Sequence, residues 1–303
     1  RASNEAAYLF QLFAREYGTN NFPDCSNMCH EATSVGLPRS IGIGKGTVSL
    51  DDFDKTELVI SIGHNPGTNH PRMMGTLHEL ARRNVPIIVF NPLRERALER
   101  FADPQSVIEM ATYGSTDIAS TYFQVKAGGD AAALKGIAKH LLEMEAERGD
   151  VLDHAFIAEH TQGIEDFAAD IAQTRWDEIE RESGLNRAAL KKVADAYAKS
   201  NATIITYGMG ITQHNKGTAN VRLIADLLLQ RGARVKHHAQ QADDLQVRVH
   251  IGMHLLDGVH QIGQPLQRKI FALHGHDHAM RRAQPVQRQH GQAGRAVNQH
   301  KIK

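Results

Sequence analysis

The sequence contains little of what marks several specialised classes of protein. Its two cysteines, Cys25 and Cys29, are too few for a disulfide framework, so we expect a reducing compartment and a cytoplasmic protein. The net charge of +1 excludes a general attraction to nucleic acid or to anionic lipid. No apolar run approaches the roughly 18 residues that a membrane span needs, and the opening residues lack the pattern of a signal peptide.

The chain also lacks an initiator methionine, which predicts a fragment of a longer protein. Its 303 residues are enough for one large domain or two of ordinary size. The apolar fraction of 41% is typical of a soluble globular protein.

Short apolar runs alternate with helical patterns along the first 232 residues. Apolar runs predict strands at 58–63, 85–90, about 122–126 and 203–207. Helices are predicted at about 4–16, 71–83, from 94 onward, 131–146, 153–160, 186–199 and 218–229. This alternation predicts an α/β fold with a doubly wound, Rossmann-like parallel sheet.

Polar loops follow four of these predicted strands, at 63–66, 91–94, 128–130 and 208–213, and three of the four contain glycine. In doubly wound sheets, ligands bind at the carboxyl ends of the strands. Glycine there allows backbone N–H groups to approach a phosphate, and Asn91 and Asp130 have the side chains to hydrogen-bond a ribose or a base edge. Ordinary turn chemistry explains any one of these loops, but four together favour a nucleotide-like ligand.

The dipeptide Cys29-His30 combines two chemical functions. A thiolate is a soft ligand for a redox metal, and the neighbouring imidazole can accept a proton. Taken alone, such a pair is more often structural, because a lone cysteine usually behaves as a small hydrophobe.

With these residues in hand, the chain resembles the large (alpha) subunit of molybdopterin oxidoreductases, and formate dehydrogenase alpha subunits in particular. The resemblance covers about residues 1–232. Its motifs occur in the family's order: Gly18-Thr19-Asn20-Asn21, Cys25-x3-Cys29-His30, Gly63-x-Asn65-Pro66 with His70-Pro71, Asn91-Pro92, Gly128-Gly129-Asp130 and Gly208-Met209-Gly210-Ile211-Thr212-Gln213.

The resemblance implies roles for individual residues. Cys29 stands where the family ligates molybdenum, and His30 stands where the family handles the substrate proton. The implied cofactor is a molybdenum bis(molybdopterin guanine dinucleotide), which supports two-electron redox chemistry on a small, formate-like substrate. The implied cofactor-binding residues are Gly63, Asn65, Pro66, Asn91, Asp130, Gly208, Met209, Gly210 and Gln213.

The resemblance also implies a domain organisation of the formate dehydrogenase/dimethyl sulfoxide reductase type, with domains II and III only. Residues 1–23 and 197–232 would form part of one α/β cofactor-binding domain, and 24–196 would form a second. The full-length parent would carry a 4Fe-4S cluster and pass electrons to a partner, but no cluster-binding cysteines precede Cys25. We therefore expect this chain alone to be inactive.

Two residues depart from the family pattern. Glu31 follows His30 where formate dehydrogenases usually have glycine, which argues against formate itself as the substrate. Asn91 replaces a common aspartate, so it can still hydrogen-bond a ribose but has no charge.

The tail at 233–303 differs in composition from the rest, since about 10 of the 18 histidines follow Gln230. The run His274-Gly275-His276-Asp277-His278 is compatible with zinc, copper or nickel. A shifted reading frame explains the tail better, because the family pattern stops at one point. On either interpretation we expect the tail to be largely disordered.

Two other functions remain open from the sequence. The chain could be a non-catalytic α/β module that binds a nucleotide or a partner protein. Alternatively, the histidines of the tail could make it a metal-binding protein.

Overall fold

The computed structural model describes residues 3–21 and 28–232, together with the backbone of 251–252. The strands are β1 (Leu58–Ile62), β2 (Ile87–Phe90), β3 (Arg100–Phe101), β4 (Thr116–Asp117), β5 (Thr121–Phe123), β6 (Thr203–Tyr207) and β7 (Ile251–Gly252). The helices are α1 (Asn4–Glu16), α2 (Glu31–Ile41), α3 (Leu50–Lys55), α4 (Pro66–Asn69), α5 (Pro71–Arg82), α6 (Arg96–Glu99), α7 (Val107–Thr112), α8 (Asp130–Arg148), α9 (His154–His160), α10 (Ile164–Gln173), α11 (Trp176–Ser183), α12 (Arg187–Lys199), α13 (Met209–Thr212) and α14 (Gly217–Arg231).

Five strands form one parallel sheet in the order β5-β2-β1-β6-β7, and β3 pairs with β4 in a small antiparallel ribbon. Strand β1 lies between β2 and β6, and all five of its residues are buried. A strand buried on both faces is continuously apolar rather than alternating, which is why the run 58–62 was readable in the sequence. The predicted α/β class with a parallel sheet is confirmed.

Helices cover both faces of this sheet. On one face, Val59, Val89 and Ile204 pack with residues of α5 such as Met74 and Leu77. On the other face, Ile60, Ile88 and Ile205 belong to a larger cluster to which α8, α12 and α14 contribute Ile137, Val193 and Ile224. The successive residues of each strand point to opposite faces, so one apolar run supplies both cores.

Most predicted elements occur with shifted ends. Strand β6 has the predicted bounds, and the predicted strand at 122–126 is β5, which ends at Phe123. Helices α10 and α11 were not predicted, and the charged helix expected from Arg94 is only the single turn α6. The chain leaves that helix at Glu99 and turns back through the ribbon of β3 and β4.

The predicted division between residues 196 and 197 needs correction for the described residues. Strand β6 pairs with β1 along its whole length, from Leu58 opposite Thr203 to Ile62 opposite Tyr207. Residues 203–207 therefore share a sheet and a core with 58–62, and the predicted boundary runs through that unit. Sequence order does not reveal this, because a parallel neighbour is reached by a long crossover connection.

The predictions for the tail at 233–303 lie outside the described residues, apart from the backbone of β7. That short strand pairs with β6, with Ile251 opposite Ile205 and Gly252 opposite Thr206.

Candidate functional site

The connections on either side of β1 leave the sheet in opposite directions. After β1 the chain passes through α5 on one face to reach β2, whereas it reaches β6 from α12 on the other face. In open α/β sheets a ligand crevice forms at such a switch point, outside the carboxyl ends of the two strands. The loops 63–66 and 208–213 lie at that point, directly after β1 and β6.

These two loops are in backbone contact. The N–H of Gly210 donates to Gly63 O at 3.1 Å, and the N–H of Gly208 donates to Ile62 O at 3.3 Å. A Cβ at Gly208 would lie 2.8 Å from Gly63 O, and one at Gly210 would lie 2.9 Å from the same oxygen. Glycine is thus required here by the close approach of two protein backbones, before any ligand is considered.

Cys29 and His30 lie immediately before α2 and contact the loop that follows β6. The hydroxyl of Thr212 donates to Cys29 O at 2.5 Å. The side-chain amide of Gln213 donates to Met28 O at 3.3 Å and lies 3.9 Å from Cys29 Sγ. The structure thus brings together Cys29 and Gln213, which are two of the predicted site residues, whereas Cys25 lies outside the described residues.

Helix α2 is attached to the sheet by buried contacts. The hydroxyls of Thr33 and Tyr207 are 2.9 Å apart, which ties the first turns of α2 to the last residue of β6. Further along, Ser40 Oγ donates to Asp226 Oδ1 on α14 at 3.2 Å. A Cβ at Gly36 would lie 3.0 Å from Thr218 O, so the two helices pack closely. These contacts hold the Cys29 turn at the carboxyl end of β6.

Three histidines lie near the Cys29 turn. His64 is buried, and its Nε2 is 3.0 Å from Nδ1 of His70, so one nitrogen donates and the other accepts. Burial lowers the pKa of His30, and burial followed by the proximity of His30 lowers the pKa of His70. Both imidazoles are therefore neutral near pH 7, which is the form that accepts a proton.

Sequence reasoning did not identify His64 and His70 as a hydrogen-bonded pair near the Cys29 turn. In the sequence, His70 serves only as the residue before a helix and as part of a motif. The available signal was that both histidines fall within one strand-end loop region, which is where functional side chains collect in this fold class.

Asp130 is buried at the first position of α8. Burial raises its pKa, and its own backbone N–H and the nearby His214 partly offset that rise. Among the described residues, its Oδ1 has no hydrogen-bond partner. A Cβ at Gly128 would lie 2.8 Å from His214 Nε2, so the Asp130 loop adjoins the residues that follow Gln213.

Asn65, Pro66 and Asn91 lie at the same edge of the sheet and stabilise their own loops. Asn65 Oδ1 accepts from the N–H of Thr68 as the cap of α4, in which Pro66 is the first residue. Asn91 is buried, and its Nδ2 donates to Leu93 O at 3.1 Å.

A cavity of about 580 Å³ opens at the other end of the sheet. Its lining includes Glu57 and Leu58 at the start of β1 and Lys199 at the end of α12. It lies at the amino ends of the strands, away from the Cys29 turn, so we do not associate it with the candidate site.

The family model of molybdopterin oxidoreductases matches residues 2–244, which is most of the chain. The chain belongs to the molybdopterin oxidoreductase family.

Curated relatives of the chain include an uncharacterized oxidoreductase and a formate dehydrogenase. Protein YdeP of Escherichia coli K12 is 56% identical over 237 residues, which are 77% of this chain and 31% of that protein. An uncharacterized oxidoreductase of Mycobacterium bovis is 42% identical over 234 residues, which are 77% of this chain and 30% of that protein. Formate dehydrogenase H of Escherichia coli K12 is 29% identical over 237 residues, which are 78% and 30% of the two chains.

A solved structure shows the same fold. Acetylene hydratase from Pelobacter acetylenicus superposes with a TM-score of 0.54 at 18% identity, over 74% of this chain and 27% of that chain. The chain spans about a third of the length of the curated relatives it matches, since it covers 31% of YdeP and 30% of formate dehydrogenase H.

Family membership implies a molybdenum-pterin cofactor. Within the described part of the chain, none of the helices combines the length and the apolar character that crossing a membrane requires. The described side chains also contain no group of three or more His, Cys, Asp or Glu residues that could hold a metal ion by themselves. The histidines at 274–278 lie outside the described residues.

Proposed function

We propose that this chain supplies the cysteine ligand and part of the dinucleotide site of a molybdenum bis(molybdopterin guanine dinucleotide) centre. The centre would catalyse two-electron oxidation or reduction of a small, formate-like substrate. The observation that supports this most directly is the contact of the Cys29 turn with the loop 208–213 at the switch point of the sheet.

The chemistry of the available side chains fits this cofactor. Cys29 offers one soft sulfur, which suits a metal held mainly by another group. The buried Oδ1 of Asp130, which has no partner among the described residues, suits an N–H donor such as the edge of a guanine. Gly63, Asn65, Pro66, Asn91, Gly208, Met209, Gly210 and Gln213 are the further residues that we assign to the dinucleotides.

When bound, the cofactor would supply the two-electron redox chemistry. The residues of this chain would place and protect it. Cys29 would hold the metal, and His30 would accept the substrate proton, since burial lowers the pKa of His30 and leaves its imidazole neutral near pH 7. Because Glu31 adds a carboxylate beside this pair, we expect the substrate to differ from formate itself.

The remaining parts of the proposed reaction lie outside this chain. We propose that the full-length parent is cytoplasmic, holds a 4Fe-4S cluster and passes electrons to a partner. Without these parts the chain alone should not turn over, so its function is best tested by cofactor binding.

The chain should be purified from a host that makes the cofactor, and its molybdenum content and pterin fluorescence should be measured. Cys29→Ser should lower the molybdenum per chain, because it removes the one ligand that this chain would supply to the metal. Cys25→Ser is the matched control, because it removes the only other cysteine, and its molybdenum content should stay unchanged.

Absence of both molybdenum and pterin from the unmodified chain would refute the proposal for this chain. Cofactor that remains fully bound in Cys29→Ser would instead favour the non-catalytic module, which binds a nucleotide without using the thiol.

A further inference from the structure

One loop contacts the Cys29 turn at three atoms. Thr212 Oγ1 donates to the carbonyl of Cys29, and Gln213 Nε2 donates to the carbonyl of Met28 and lies 3.9 Å from the Cys29 sulfur. The contacts involve both the backbone and the side chain of the cysteine. They join residues 183 positions apart in the sequence, so they are tertiary contacts and not local turn chemistry.

The loop that makes these contacts is itself held firmly. The N–H of Gln213 donates to Met209 O at 2.8 Å, and that of Ile211 donates to Gly208 O at 3.1 Å. A Cβ at Gly217 would lie 2.3 Å from Thr212 O, so the start of α14 packs directly against the loop. Thr212 is buried. The loop can therefore serve as a fixed support, while the cysteine turn is the part that it positions.

We propose that Thr212 and Gln213 are positioning residues for the Cys29 sulfur. Thr212 fixes the carbonyl of Cys29, and the amide of Gln213 lies against the sulfur and limits its direction. One consequence rests on the proposed function. If that function holds, the loop assigned to the dinucleotide also sets the direction of the metal ligand. The proposal does not need molybdenum for its test.

The position of Gln213 can be tested by replacing it with glutamate, which would place a negative charge beside the sulfur. In a Cys25→Ser background, Cys29 is the only cysteine, so alkylation reports on it alone. Iodoacetamide is neutral and iodoacetate is an anion, and both react with the thiolate. The ratio of their rates therefore reports the local charge, independently of how much thiolate is present.

Gln213→Glu should lower the iodoacetate-to-iodoacetamide ratio by about fivefold at low ionic strength, because two like charges about 4 Å apart repel even in water. Added salt should reverse much of the change. The matched control is Gln173→Glu, which adds the same charge to the exposed end of α10 and should leave the ratio unchanged. A Gln213→Glu ratio equal to that of the control would overturn the proposal.

The role of Thr212 can be tested by comparing two replacements in the same background. Thr212→Val keeps the shape and removes the donor, whereas Thr212→Ser keeps the hydroxyl. Amide hydrogen exchange over residues 29–34 should become about three- to tenfold faster in Thr212→Val, which is the usual range for one hydrogen bond. Thr212→Ser should restore the slower exchange.

Equal exchange in the two Thr212 variants would mean that the hydroxyl does not hold the turn. If Thr212→Val does not fold, the charge test with Gln213→Glu still decides the proposal. Both measurements use the chain without molybdenum, so failure to bind the cofactor would contradict the proposed function and leave these results unaffected.

Discussion

Replacing Gly129 with alanine is expected to destabilise the fold by about 3 kcal/mol, in the upper range of overpacking in a well-packed site. A Cβ at Gly129 would lie 2.4 Å from Glu182 O and 2.9 Å from Ser183 Cα. Neither backbone can move away easily, because the N–H of Lys126 donates to Ser183 O at 2.9 Å. The urea concentration at the midpoint of unfolding should fall, while the slope of the free energy of unfolding against urea concentration should stay unchanged.

Gly75→Ala is the matched control for this prediction. A Cβ at Gly75 meets no atom within 4 Å, and the residue is exposed in the middle of α5. Alanine should therefore stabilise the protein there by up to about 1 kcal/mol through helix propensity. If Gly129→Ala were as well tolerated as Gly75→Ala, the close packing of α8 against the end of α11 would be wrong.

Replacing Asp226 with asparagine should stabilise the protein at neutral and alkaline pH. Asp226 is buried between α14 and α2, where it accepts a hydrogen bond from Ser40 Oγ. Burial raises the pKa of Asp226 from 3.8 to about 7, although Arg222 and the Ser40 hydrogen bond act in the opposite direction. The folded state therefore binds this proton more tightly than the unfolded chain does.

The sign of the pH effect follows from that difference. The contribution of protonated Asp226 is fully present below about pH 4 and is lost as the pH rises to about 7. The rise in pKa corresponds to at most about 4 kcal/mol. Asp226→Asn and the unmodified chain should thus have nearly the same free energy of unfolding at pH 4. At pH 8 the free energy of unfolding of Asp226→Asn should be higher by a few kcal/mol.

Urea unfolding of both proteins at several pH values measures this difference. The asparagine side chain in Asp226→Asn would retain an oxygen that accepts from Ser40, so the comparison isolates the charge. A difference that stays flat across this range, or an Asp226→Asn protein that is less stable at pH 8, would show that the carboxylate is stabilised in place.

The sequence predicts those helices and strands whose own residues show a clear apolar pattern. Strands β1 and β6 are apolar runs that are buried on both faces, and the long helix α8 begins at the predicted loop 128–130. Helix α10 was missed although Phe167 and Ile171, four positions apart, give it a buried apolar face. Its signal was therefore present in the sequence.

The arrangement of the candidate site could be predicted only in part. Cys29, His30 and the strand-end loops were identified from residue types and motifs, and the structure brings the loop 208–213 to the Cys29 turn. The placement of β6 beside β1 could not be read, because it depends on contacts between segments that are distant in the sequence. The pairing of His64 with His70 was missed, although the two histidines are only six positions apart in one strand-end loop region. The roles of the individual site residues remain predictions.

The hydrogen bond between Thr212 and Cys29 has a consequence for how the protein folds. Contacts between residues 183 positions apart require closure of a long loop, and such contacts slow folding and form late. A chain still on the ribosome that ends before Thr212 has its cysteine but cannot orient it. On the proposed function, insertion of a cofactor that needs an oriented sulfur would therefore follow synthesis of the loop 208–213.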